Sequence, residues 1–238
     1  MIVLIQLLLA HLLGDFFLQP TKWVEENERK KLKSVTLYIH VFVHVALTAL
    51  LLWDVSSWPI VIIVGISHFI IDGLKLSFQK KSTKRLFFLV DQLLHIFVIL
   101  ACFVFIHKKD HKFNFEITEH HVLLITCLLF LTVPVAVIMK TIFLKWNIAE
   151  LTKNNESLTD AGKYIGILER ILVFIFIVLN HWEAVGFLIT AKSVFRFGDL
   201  KESKTRQLTE YILIGTLISF GFAILTGIAY IFFTGHYV

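Results

Sequence analysis

Long apolar runs alternating with short charged stretches set the pattern of this chain. Windows of apolar residues predict helices at about 2–18, 35–53, 58–75, 86–106, 120–140, 164–180, 184–198 and 208–233. A hydrocarbon core of roughly 30 Å takes about 20 mainly apolar residues to cross, which most of these segments approach. The expected fold is an all-α integral membrane protein with about eight transmembrane helices. The seventh segment is the shortest, because only Ala184 to Ala191 is uninterrupted apolar sequence before Lys192 and Arg196. A re-entrant hairpin is the alternative to a full crossing there.

Charge supplies the direction of each helix, since Lys and Arg accumulate in cytoplasmic loops. Segments 19–34, 75–85, 140–163 and 192–207 are rich in Lys and Arg, whereas 54–58 and 181–183 have none. Both the N and C termini are therefore expected outside. Lys108, Lys109 and Lys112 in the outer loop 107–119 dissent and are outvoted by the neighbouring loops. A short amphipathic surface helix is expected within about 141–163, the longest connection.

Composition agrees with a bilayer as solvent: 57% of the 238 residues are hydrophobic and the mean hydropathy is +0.77. The net charge of +5 does not indicate nucleic acid, because the basic residues sit between apolar runs instead of forming a stripe on a soluble face. Cys102 and Cys127 both fall inside apolar runs, which leaves no disulfide framework and no Cys-based zinc motif. The first run lacks a basic leading region and contains His11 and Asp15, so it is read as a retained span and not a cleaved signal peptide.

The chemistry lies in the first four runs. Every His and Asp there is paired at i,i+4: His11 and Asp15, His40 and His44, His68 and Asp72, Asp91 and His95. That spacing puts both members of a pair on one helix face, about one turn apart. Under the charge-derived topology, the first and third helices run inward and the second and fourth outward. All four pairs then fall in one layer on the cytoplasmic side. Ionisable groups in spans are costly unless they pair or face a wet cavity, and eight in one layer call for a common partner. A divalent transition metal is the simplest, bound in the bundle of helices 1–4. Imidazole and carboxylate without thiolate suit zinc, manganese or iron. Four ligands saturate one zinc, so eight indicate two ions, or one ion with supporting groups around its ligands. A metal-free polar network is the alternative. The chain accordingly divides into a metal-site half, 1–106, and a C-terminal helical half, 107–238.

In the C-terminal half, Glu169, Arg170, Lys192, Arg196 and Glu210 are again placed toward the cytoplasmic side. One reading makes them ion pairs and snorkelling cations. The other makes Arg170, Lys192 and Arg196, with Glu210, a substrate-binding anion pocket. Arg170 then also steadies developing charge, and Glu169 is a proton acceptor. His107, His111, His120, His121, His181 and His236 lie at outer edges and read as solvated polar positions, while Trp53, Trp58 and Trp182 fit an aromatic belt.

These residues resemble a family of uncharacterised bacterial multi-pass membrane proteins, one of the domains of unknown function. The likeness runs through His11-Leu-Leu-Gly-Asp15-Phe-Phe-Leu-Gln19, His40-x-x-x-His44, His68-x-x-x-Asp72-Gly-x-Lys75 and Asp91-Gln92-x-x-His95. It continues in Ile165-Gly-x-Leu-Glu169-Arg170, Ala191-Lys192-Ser193-x-x-Arg196-Phe197 and Glu210-Tyr211-x-Leu-Ile-Gly215-Thr216. The resemblance brings no activity with it. A looser similarity of motif style links the chain to predicted membrane-bound metal-dependent hydrolases.

The leading expectation is a divalent-metal-dependent hydrolase of the cell membrane, acting at the cytoplasmic leaflet on an ester, amide or phosphoester of an amphipathic substrate, with membrane lipids as its surroundings. A divalent-cation transporter is the runner-up, disfavoured by the nearly apolar outer halves of the first four helices. A metal-stapled membrane scaffold or sensor is a third reading, and an oxidative di-iron enzyme a fourth.

Overall fold

The computed structural model describes residues 1–107, 119–146, 161–200 and 206–235, without the side chains of 55, 105–107, 195–200 and 206–209. Among the described residues the protein is helical throughout, with no strand. Each of the eight predicted apolar runs is helical. Five helices are long and apolar enough to cross a membrane, and up to six if a bent pair, Ile2–Phe17 with Thr21–Lys33, counts as one crossing. Of the connection 141–163, in which a short surface helix is expected, residues 147–160 lie outside the described residues.

The described residues form two compact units, Met1–Thr126 and Cys127–Val238, whose boundary lies inside a helix and not at the 106/107 division read from the sequence. Unit 1 opens with α1 (Ile2–Leu12), which continues as a π-helical turn over Leu13–Phe17. The amide of Leu18 closes that turn on the Leu13 carbonyl at 2.8 Å. Pro20 then ends the helix, as the residue before a proline is driven to extended backbone. The chain bends by 81° into α2 (Thr21–Lys30), ten residues with Trp23 and Val24 partly buried and Asn27 fully so. Asn27 holds α2 down by accepting a 2.7 Å hydrogen bond from the Thr36 hydroxyl.

Helix α3 (Val35–Leu52) ends at Trp53, whose left-handed backbone stops the helix. Helix α4 (Trp58–Phe78) starts with Pro59 in its first turn, where its missing N–H costs nothing. Helix α5 (Lys84–His107) completes the four. The residues at the α1 beginning and the adjoining ends of α3, α4 and α5 form an apolar core of Val3, Leu7, Leu52, Ile60, Ile99 and Cys102. Phe42, Ile66, Leu93 and Phe97 are exposed around the outside. So large an apolar exterior suits lipid and not water.

Unit 2 begins within α6 (Glu119–Leu131), followed by α7 (Val133–Phe143), α8 (Ala161–Val178), α9 (Trp182–Leu200) and α10 (Arg206–Thr234). Pro134 cannot donate into a continuous helix, and the chain breaks at Thr132. The break leaves the Leu131 carbonyl without a backbone partner, and Arg170 of α8 takes it, adding a second bond to the Thr132 carbonyl, which already accepts from the Ala136 amide at 3.2 Å. Its Nε donates to the Leu131 carbonyl at 2.6 Å and one terminal nitrogen to the Thr132 carbonyl at 3.2 Å. The other terminal nitrogen donates to the Ser219 hydroxyl of α10 at 3.2 Å. Arg170→Met is therefore expected to destabilise the fold, by about 1–3 kcal/mol for the Leu131 carbonyl left unpaired in apolar surroundings. A thermal unfolding midpoint in detergent equal to that of the unaltered protein would rule out this bracing role.

Candidate metal centre

All eight His and Asp residues singled out in the sequence come together in unit 1, contributed by α1 with its π turn, α3, α4 and α5. Asp15 sits at the middle of the group. One of its oxygens lies 2.9 Å from His44 Nε2, 3.4 Å from His40 Nε2 and 3.4 Å from His68 Nε2, and the other lies 3.8 Å from His11 Nε2. Asp72 faces His40 and His68 at 3.6 Å through one oxygen and His95 at 3.6 Å through the other. His40 and His68 share a hydrogen bond between their Nε2 atoms at 3.1 Å. The rings of His44, His68 and His95 stack in series, with centroids 3.7 Å and then 4.1 Å apart.

The local backbone makes this crowding possible. Asp15 belongs to the π turn, a distortion that recurs at functional sites. Gly14, beside it, faces the His44 imidazole so closely that a Cβ there would overlap three ring atoms. Only glycine lets α3 bring His44 onto the α1 backbone.

The donor chemistry and the unfinished hydrogen bonding both fit a metal ion. Three sets of donors lie within 4.8 Å of one another: His11, Asp15, His44 and His68; His40, His68 and Asp72; and Asp15, Asp91 and His95. Mixed imidazole and carboxylate of this kind suit zinc, manganese or iron(II). Asp91 Oδ1, His95 Nε2 and His40 Nδ1 are buried without any hydrogen-bond partner, in residues only 2%, 4% and 1% exposed. Leaving such groups unpaired is costly, so their presence together points to a ligand that completes them. Asp91 Oδ1 and His95 Nε2 face each other at 3.6 Å, too far for a hydrogen bond.

Two members of the group were not singled out as site residues in the sequence. Gln92 donates to Asp15 at 2.9 Å and to Asp91 at 3.3 Å, while its oxygen lies 3.4 Å from His11 Nε2. Lys75 donates to Asp91 Oδ2 at 2.7 Å, and its ammonium lies 5.8 Å from the centre of the Phe88 ring. The available signal was spacing: Lys75 follows Asp72 by three residues on the same helix, and Gln92 adjoins Asp91.

The group meets two cavities. The larger, about 50 Å³, lies under α2 and is lined by Asp15, Asn27, Glu28, His40, Asp72 and Lys75 among others. It has room for water and polar partners for it. The smaller, about 10 Å³, lies one helical turn to the other side of the imidazoles, against Leu7, Val64, Val98 and Ile99. Beyond it comes the apolar core.

In unit 2, Glu169 and Lys192 form an ion pair with each other, and the Lys192 ammonium stands 5.4 Å from the centre of the Phe220 ring. Arg170 is the brace of the broken helix. Glu210 lies exposed on α10. Arg196 belongs to α9, and its side chain lies outside the described residues, as do those of His107, His111 and His236. Trp53, Trp58 and Trp182 are exposed.

The family described as "Protein of unknown function (DUF3307)" matches residues 3–124, which spans the whole His and Asp group and stops short of the motifs from Ile165 onward. No curated protein and no solved structure matches the chain, so the likeness to metal-dependent hydrolases finds no support there.

Proposed function

The chain belongs to the DUF3307 family, which assigns it no activity, and we propose that it is a membrane-embedded, divalent-metal-dependent hydrolase working at the cytoplasmic leaflet of the cell membrane. The observation that carries this reading is the set of buried imidazole and carboxylate atoms from four helices, several lacking any partner, beside a polar cavity. Eight crossings with both termini outside, as the loop charges favour, place the α2 end and its cavity on the cytoplasmic side. Zinc fits the donors best, since it accepts mixed nitrogen and oxygen ligands and needs no redox chemistry.

A bound divalent ion would supply a water acidic enough to ionise near neutral pH and a Lewis acid for a carbonyl or phosphoryl oxygen. The chain's own residues supply the rest. His11, His44 and His68 with Asp15 are the densest donor set. Asp72 fixes His40, His68 and His95 by facing their Nε2 atoms. Gln92 orients Asp15. Asp91 turns Oδ1 toward His95 and the other donors while Oδ2 holds Lys75. A substrate with an apolar tail and a polar head can lie in the lipid with its head in the cavity under α2. A polar cavity on the α2 side, with Val3, Leu7, Leu52 and Ile60 packed on the other, favours catalysis over passage of ions through the membrane.

Purified protein loaded with zinc or manganese should hydrolyse members of a panel of chromogenic long-chain esters, amides and phosphoesters. His68→Ala and Asp72→Ala should each lower turnover by a factor of about 10³ or more while leaving a folded, extractable protein, given that metal-bound water is the nucleophile. Equal activity in both variants would sink the proposal. Ion uptake into sealed vesicles that depends on His40 and His44, without hydrolysis, would establish the transporter instead. Loss of fold on chelation without any chemistry would establish the structural role.

A further inference from the structure

The centre contains a positive charge of its own. Lys75 points its ammonium into the same carboxylates that would hold a metal, 2.7 Å from Asp91 Oδ2. The side chain is three-quarters covered and the ammonium is also placed over Phe88, at 5.8 Å, a favourable seat for a cation. From this we infer that the centre takes one divalent ion and that Lys75 permanently occupies the place of a second, an inference that rests on the metal reading above.

Charge balance supports it. With the imidazoles neutral, as metal ligation requires, the group's ionised members are Asp15, Asp72, Asp91 and Lys75. Three carboxylates bring three negative charges, and Lys75 returns one. The two that remain match a single divalent ion. A second divalent ion would leave the group with two uncompensated positive charges, inside helices whose surroundings are apolar and where net charge is heavily penalised. Removing Lys75 would instead leave three negative charges, so that one divalent ion leaves a single negative charge and two leave a single positive one, and the penalty that held a second ion out is gone.

The geometry separates the two cation positions. The ion has the donor sets around Asp15, His44 and His68, and the adjoining His40, His68 and Asp72. The third set, Asp15, Asp91 and His95, is the one next to Lys75. Asp91 therefore presents its two oxygens to two different cations. Oδ2 takes Lys75 with help from Gln92, and Oδ1, unpartnered and buried, faces His95 Nε2 and the rest of the ligands. Because the lysine is carried by α4 itself, it is present beside Asp91 at a high effective concentration whatever the metal content of the surroundings. Its butyl chain also lines the cavity under α2, so a substrate head entering there meets a fixed ammonium beside the ion.

The test is metal stoichiometry in the full-length protein. Protein purified without chelator is saturated separately with zinc, manganese and iron(II), freed of excess ion, and its metal content measured by elemental analysis. The unaltered protein and Lys75→Arg, which keeps the charge, should each hold one equivalent. Lys75→Met, which keeps the length and removes the charge, should hold two. Lys75→Gln gives the same reading should the methionine variant not yield folded protein. Two equivalents in the unaltered protein overturn the inference, and so does one equivalent in both neutral variants. No metal in any of them overturns the metal reading itself, a different failure.

Discussion

Asp15→Asn is expected to strip the protein of its metal. The substitution preserves size and leaves an oxygen to accept from Gln92, yet removes the negative charge that four imidazoles surround at 2.9–3.8 Å. Asp15 also belongs to two of the three donor sets, so both lose a ligand at once. Changes to residues that merely support a metal ligand cost about 10–100-fold in affinity, and a shared ligand should cost more. Isothermal titration with zinc, run beside Lys22→Ala at an exposed position of α2, measures the difference. Affinity within threefold of the unaltered protein would show that the imidazoles do not gather around a metal.

Gly14→Ala should have the second largest effect, although it touches no ionisable group. The new methyl overlaps Cε1, Nε2 and Nδ1 of His44, and the ring cannot back away, because it is stacked on His68 and buried. Overpacking of a tight core costs about 1–3 kcal/mol. Here the strain falls on a ligand, so it should appear as lost metal affinity of roughly tenfold or more, each 1.4 kcal/mol being about tenfold. Gly186→Ala on α9 is the control, since nothing lies within 4 Å of the position a Cβ would take. It should be neutral or slightly stabilising, as alanine is the better helix former. Equal metal affinity in both glycine variants would remove close approach as the reason for Gly14.

The eight His and Asp residues were legible because an i,i+4 pair on an apolar helix has one obvious face, and because alternate helices carried their pairs at opposite ends. Lys75 was harder to see. It sits within the last turn of α4, and by charge alone it counts with Lys80, Lys81, Lys84 and Arg85 of the following loop. Nothing in the sequence separates a lysine that snorkels outward from one that turns back to Asp91, since that choice is made by α5, a different helix. Gln92 was missed for a related reason: a neutral amide is as ordinary at a helix surface as at a ligand. The π turn was not legible at all. It arises from the demand that Asp15 and Gly14 meet three other helices, whereas its own residues, Leu13 to Phe17, have ordinary helical character.

Arg170 shows the opposite case. Its type and its place in an apolar run marked it as unusual, and an anion pocket was a reasonable expectation. In the structure its guanidinium answers the backbone carbonyls of Leu131 and Thr132, at the break in the helix before Pro134. Pro134 was visible in the sequence, but its connection to Arg170 is a matter of which helices pack together.

That brace implies an order of events during synthesis. Residues 127–143 leave the ribosome well before Arg170, and in lipid the open carbonyl at Leu131 has no water to turn to. Arg170, for its part, is a charge that no lone α8 can take into lipid cheaply. Each segment carries what the other lacks, so neither is a competent passenger alone. The insertion machinery has to retain the broken helix until α8 arrives, and release them as a pair.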